Sequence, residues 1–229
     1  MRLWLHSGGT FSEAGPEVQR FLGPQKDVLF VPYALDDLDG YVDKVREIMG
    51  GWGFQVTSAH ERDDPRQAVA EADAIFVGGG NTFRLLTRLT DLGLMDAIRE
   101  RVANGAAYLG SSAGSNLACP TIKTTNDMPI VYPPSFDALG LVPFQINPHY
   151  QDVDPASTHR GETREQRLRE YHEMNTQPVL GLREGSLVCR EGTSLELRGS
   201  VGARLFRQSQ PPVEHVPGDR LDFLLAPSV

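Results

Sequence analysis

Short apolar runs alternate with stretches of helical periodicity through the first half of the chain. Runs at 2–6, 27–33, 54–58, 74–77 and 106–110 read as strands, and those that lack polar/apolar alternation predict burial on both faces. Between them, 41–49, 65–71 and 82–104 carry helical spacing, the last interrupted at Asp91-Leu92-Gly93, a turn-forming sequence. This alternation predicts a parallel sheet flanked by helices.

The second half is less regular. A helix is expected to open just after Ser112, followed by a proline-rich loop over 120–143 and a strand at 144–146. Residues 162–174 are dense in charge, with Leu168 and Tyr171 apolar, and read as an exposed helix. From 179 onward the runs VLGL, SLVCR, LELRG and ARLF, separated by glycine-containing turns, predict an antiparallel extension of the sheet. No repeat, low-complexity segment or linker divides the chain, so 1–229 reads as one domain.

With 229 residues, 40% of them hydrophobic and 23% charged, the chain can bury a core of ordinary size. Its net charge of -8 argues against nucleic acid as a partner, because phosphate binding rests on Lys and Arg. Cys119 and Cys189 are the only cysteines, too few for a disulfide framework or a four-cysteine zinc site. The start MRLWLHSGG reaches His6 and two glycines before a signal core forms, and no run approaches the roughly 18 apolar residues of a membrane span. The expectation is a cytoplasmic protein without membrane contact.

The strongest chemical signal is Tyr108-Leu109-Gly110-Ser111-Ser112-Ala113-Gly114, a G-x-S-x-G pattern after an apolar strand and before a helix, the context of a nucleophile elbow. The central serine needs small neighbours because its backbone sits in a crowded, strained turn. That marks Ser112 rather than Ser111. A second glycine turn, Gly78-Gly79-Gly80-Asn81-Thr82, also lies between a strand and a helix. Amides from Gly79 and Gly80, with that of Ala113, are candidates for an oxyanion hole. A serine hydroxyl also needs a general base. Of six histidines, His6 follows the first strand, His60 and His215 lie in polar stretches, and His159 and His172 lie in a charged region expected to be solvated. His149 comes straight after an apolar strand, where parallel sheets place functional side chains.

GGGNTFRLL (78–86), GSSAGSNLACPTIKTTNDMPIV (110–131), FQINPHY (144–150) and GETREQRLRE (161–170) together resemble the peptidase E, or aspartyl dipeptidase, family of serine peptidases. The resemblance implies a three-layer α/β sandwich with a mostly parallel sheet, flavodoxin-like or class I glutamine-amidotransferase-like. It also implies hydrolysis of dipeptides with N-terminal aspartate, with no metal or other cofactor. Ser112 matches the nucleophile and His149 the base. Glu184 matches the acid that orients the base, with Asp127 the other acidic candidate, better suited to a substrate ammonium group. Arg164 matches the residue that selects the aspartate side chain, a task suited to a planar guanidinium. Asn81 is either a further substrate contact or an N-cap. The chain departs from the family pattern at Ser111, in place of a bulky aromatic, at Ser115, in place of a small apolar residue, and in the length of the 151–160 loop. These departures are expected near the substrate, bearing on specificity rather than reaction class.

The rival readings are a cyanophycinase-like peptidase acting on β-aspartyl bonds and a non-catalytic module that keeps only a carboxylate pocket. TTNDMP and INPHY favour the dipeptidase, and a serine at the elbow excludes the usual cysteine amidotransferase. Homo-oligomerisation is left open by the sequence.

Overall fold

The computed structural model describes residues 1–154, 156, 158 and 161–226; His159 lies outside them. Strands β1 (Arg2–His6), β2 (Asp27–Val31), β3 (Gln55–Ser58), β4 (Ala74–Val77) and β5 (Ala107–Ser111) are parallel and stand in the order β3-β2-β4-β5-β1. From β2 onward this is the 2-1-3-4 winding of flavodoxin-like sheets, with β1 placed where a fifth strand would run. β4, Ala-Ile-Phe-Val, is buried along its whole length, which is why it shows no alternation.

Helix α1 (Gly15–Leu22) was not marked by the hydrophobic pattern, although Pro16 opens it and Gly23 closes it at φ 63°. The others follow local signals. α2 (Leu38–Gly51) starts at Asp37, whose carboxylate accepts from the Gly40 amide at 3.0 Å, and α3 (Pro65–Glu71) starts at Asp64, which caps two amides. Gly93, left-handed at φ 64°, separates α4 (Thr82–Asp91) from α5 (Leu94–Ala103) at the turn the sequence predicts. α6 (Ala113–Leu117) follows β5 directly.

Alternate strand residues feed two cores. Leu3, Leu5, Ile75, Val77 and Tyr108 pack with apolar residues of α3 to α6 on one face, while Trp4, Phe30, Phe76 and Leu109 pack with α1 and α2 on the other. The result is the three-layer α/β sandwich the resemblance implies. Among the described residues no helix is long and apolar enough to cross a membrane.

The tail corrects one expectation. Instead of extending a single sheet, its strands divide between two. β6 (Gln145–Asn147) and β7 (Val179–Leu182) are parallel and begin a four-stranded sheet that also contains β10 (Ala203–Phe206) and β11 (Val213–His215), in the order β11-β10-β7-β6. β8 (Ser186–Glu191) adds antiparallel to β1, and β9 (Ser194–Gly199) adds antiparallel to β8, giving the central sheet seven strands. The tight turn at 183–185, with Gly185 at φ 82°, sends the chain from one sheet to the other. Helix α7 (Arg164–Met174) starts with a Thr163/Gln166 capping box and is not exposed all round. Leu168 packs with Tyr150, Val179 and Phe206. His172, expected to be solvated, is 7% exposed and lies 3.2 Å from the Asn175 carbonyl oxygen, because α7 turns this side against the second sheet.

Candidate active site

Ser7, Gly79, Ser112, His149 and Glu184 each stand one or two residues beyond the carboxyl end of a strand, so two sheets deliver them to a common edge. Ser112 occupies the turn between β5 and α6 at φ 52°, ψ -108°, a strained conformation for a residue with a side chain. The flanking glycines make the turn feasible. A Cβ on Gly110 would lie 2.7 Å from the Gly114 carbonyl carbon, and one on Gly114 would lie 2.1 Å from the Val77 carbonyl oxygen. The backbones of β4, β5 and α6 are therefore in contact, and only glycine fits between them. A Cβ on Gly79 would stand 3.1 Å from the Ser112 Cβ, so the glycine turn after β4 packs directly against the serine. The Ala113 amide opens α6 and has no partner among the described residues. A Cβ on Gly80, held at φ 134°, would lie 2.7 Å from the Ala34 carbonyl oxygen.

His149 joins the serine to Glu184. Its Nδ1 donates to Glu184 Oε1, which leaves Nε2 to accept from the Ser112 hydroxyl at 2.7 Å. The register of the parallel β6/β7 pair, Asn147 opposite Gly181, places His149 beside the 183–184 turn. The histidine backbone is itself held at φ 53°. Its amide donates to Ser7 Oγ at 2.9 Å, and Ser7 Oγ donates to the Leu182 carbonyl at 2.8 Å. The segment after β1 fits closely around this pair. A Cβ on Gly8 would lie 2.3 Å from His149 Cε1, and one on Gly9 2.2 Å from Glu184 Oε2.

Asp127 does not touch His149. Its Oδ2 accepts from the Thr82 amide at 2.7 Å, the Thr82 hydroxyl at 2.6 Å and the Thr125 hydroxyl at 3.1 Å, which ties it to the first turn of α4. Asn81 caps the same helix, accepting from the Arg84 amide at 3.0 Å and donating to the Met128 carbonyl at 2.9 Å, so both ends of its amide are engaged within the fold. Arg164, half-buried at the start of α7, lines a cavity of about 590 Å³ with Asn126, Asp152 and Arg167 and forms no ion pair among the described residues. Burial lowers its pKa, as does Arg167, while the nearby Asp127 carboxylate opposes them. Asn126 links this cavity to the histidine loop by donating to the Pro148 carbonyl at 2.6 Å.

The model of Peptidase family S51 matches residues 3–198. The chain belongs to peptidase family S51. A "Peptidase E" of Streptomyces coelicolor is 53% identical over 220 residues, covering 96% of this chain and 90% of that protein. A "Probable alpha-aspartyl dipeptidase" of Drosophila melanogaster is 53% identical over 224 residues, covering 96% and 93%. A Listeria monocytogenes EGD-e protein of known structure superposes with a TM-score of 0.69 at 26% identity, covering 87% of this chain and 98% of that one.

Three features of this S51 peptidase's site were not marked in the sequence. Ser7, Gly8 and Gly9 surround His149 and Glu184, and the signal for them was a paired glycine immediately after a strand. Burial lowers the His6 imidazole to about 4, with Glu184 opposing the shift and His149 adding to it. His6 is thus neutral at the sheet edge, its Nδ1 accepting from the Gly8 amide at 3.2 Å. Tyr41 lines the cavity beside Ser112; burial raises its hydroxyl to about 12 against the opposing effect of the Gly79 amide. Ser115 corrects an expectation. It is buried behind the elbow, donating to the His6 and Gly110 carbonyls at 2.7 and 2.9 Å, and is not on the substrate side. Ser111 does line the cavity.

Proposed function

We propose that this S51 peptidase is a serine dipeptidase that removes an N-terminal aspartate, with Ser112 as nucleophile, His149 as general base and Glu184 as its orienting acid. The observation that carries the assignment is the unbroken chain from the Ser112 hydroxyl through His149 to Glu184. The name of the Drosophila relative, a probable alpha-aspartyl dipeptidase, supports the substrate.

In this mechanism Ser112 Oγ attacks the carbonyl carbon of the aspartyl residue as its proton passes to His149 Nε2. The negative charge that develops on the carbonyl oxygen is met by the Ala113 amide and the glycine turn at Gly79 and Gly80. Protonated His149 then donates to the leaving amine, the peptide C–N bond breaks, and an aspartyl ester remains on Ser112. Water, deprotonated by His149, attacks the ester, releases aspartate and restores the serine. Arg164, with no ion pair among the described residues, receives the aspartate side-chain carboxylate. Asp127, with its Oδ1 outside the hydrogen bonds to Thr82 and Thr125, takes the substrate ammonium.

Purified protein assayed on Asp-Leu, Glu-Leu, Ala-Leu, N-acetyl-Asp-Leu and β-linked Asp-Leu tests this reading. Cleavage confined to Asp-Leu, reduced at least about 10³-fold in Ser112→Ala, is the expected result. Cleavage of the β-linked peptide instead would replace the substrate, and full activity in Ser112→Ala would reject the nucleophile.

A further inference from the structure

A cavity of about 310 Å³ opens beside Ser112 and His149 on the α1/α2 face of the central sheet. Asp127 and Arg164 are tied to elements of the opposite face and the second sheet: Asp127 to α4, whose apolar side lies in the other core, and Arg164 to α7. The cavity wall is largely aromatic and aliphatic, from Phe11, Tyr41, Ile48 and Phe76, with Ser111 leaving room at the base. Lys44 also lines it.

The charge pattern on this wall sets Lys44 apart. Along α2 and its surroundings, Asp39 pairs with His60, and Arg46 with Asp43 and Glu61, whereas Lys44 has no ion pair among the described residues. On a chain of net charge -8, an uncommitted ammonium beside an apolar pocket suits an apolar group that also bears a carboxylate. Mechanism narrows this further. His149 must hand its proton to the departing amine, so the residue carrying that amine lies beside His149, where the cavity is.

We propose that this cavity is the leaving-residue site. It takes a large apolar side chain among Phe11, Tyr41, Ile48 and Phe76, and Lys44 reads the free carboxylate that ends a dipeptide. The proposal rests on the dipeptidase reading above. It adds two things: a preference at the second position, and a reason for stopping at two residues, since a longer peptide presents an amide where Lys44 meets a carboxylate.

The test is kcat/KM on Asp-Gly, Asp-Leu, Asp-Phe and Asp-Leu amide for the wild type, Lys44→Gln and Ile48→Trp. The wild type is expected to favour Asp-Leu and Asp-Phe over Asp-Gly, and Asp-Leu over its amide, each by roughly tenfold. Lys44→Gln, at an exposed helix position, collapses the acid-over-amide preference while keeping the preference for a large side chain. Ile48→Trp narrows the pocket and lowers Asp-Phe relative to Asp-Gly. A wild type that cleaves Asp-Leu no faster than Asp-Gly and Asp-Leu amide overturns the pocket and leaves the dipeptidase standing. An unchanged acid-over-amide ratio in Lys44→Gln overturns the role of Lys44. A wild type that cleaves none of the four overturns the reading beneath both.

Discussion

Ser7 illustrates how one buried hydroxyl holds the histidine. It takes the His149 amide proton and gives its own to Leu182, so it spans the strand that leads to it, the second sheet and the candidate base. A backbone at φ 53° costs of order 1–3 kcal/mol for a residue with a side chain and persists only where its surroundings over-determine it. Removing the Ser7 hydroxyl leaves the His149 amide without that partner. Ser7→Ala is therefore expected to lower kcat by about tenfold to a hundredfold, the equivalent of roughly 1–3 kcal/mol, with KM for Asp-Leu little changed. Steady-state kinetics decides this: a rise in KM at constant kcat would assign Ser7 to substrate binding instead.

At the scale of elements, the two acids of the site serve different structures. Glu184 is brought to His149 by the β6/β7 register and is supported by its neighbour Arg183, which pairs with Asp152 at 2.7 Å and Glu214 at 2.9 Å. Asp127 holds the first turn of α4, where an anion also complements the helix terminus. Glu184→Gln is expected to lower kcat by about 10²-fold or more without moving the urea midpoint, because it removes a charge that stabilises the imidazolium. Asp127→Asn is expected to cost about 1–2 kcal/mol of stability and to raise KM. Identical effects of the two variants on kcat and stability would remove the distinction.

Elements with strong local signals were legible in the sequence. β4 is a pure apolar run, α3 has Asp64 and Pro65 at its start, and Gly93 marks the α4/α5 break. Gly110 and Gly114 framed the elbow because their spacing reflects a local steric need. Sheet membership was not legible. VLGL and SLVCR have the same apolar character, yet β7 and β8 join different sheets because strand pairing is decided by distant partners. For the same reason His149 could be ranked as a strand-end residue, while Ser7, more than a hundred residues away in sequence, could not be linked to it.

For the whole molecule, the place where the two sheets meet is also where a titratable group is buried. His6 ends β1, stacks on Trp4 at 5.0 Å, accepts from the Gly8 amide, and lends its carbonyl to Ser112 and Ser115. In the fold it binds a proton only near pH 4, whereas its ordinary value is 6.5. Between those values the unfolded chain holds the extra proton, so stability rises with pH across this window and falls as the solution is acidified. The loss expected from His6 on going from 6.5 down to 4 is about 3 kcal/mol, levelling off below. Carboxylates act in a lower window: Arg183 holds Asp152 below its ordinary value of 3.8, and that contribution is present above about 4 and is lost as pH falls through the lowered value. Urea unfolding at about pH 7 and about pH 4.5 separates the two effects, since over that interval the Asp152 carboxylate stays ionised while the unfolded chain takes up the His6 proton. His6→Asn keeps an acceptor for the Gly8 amide but cannot be protonated, so its stability is expected to decline less than that of the wild type over the same range. Parallel declines in the two proteins would place the acid sensitivity elsewhere, whereas a flatter variant would show that the sheet junction at the candidate active site sets the acid limit of the fold.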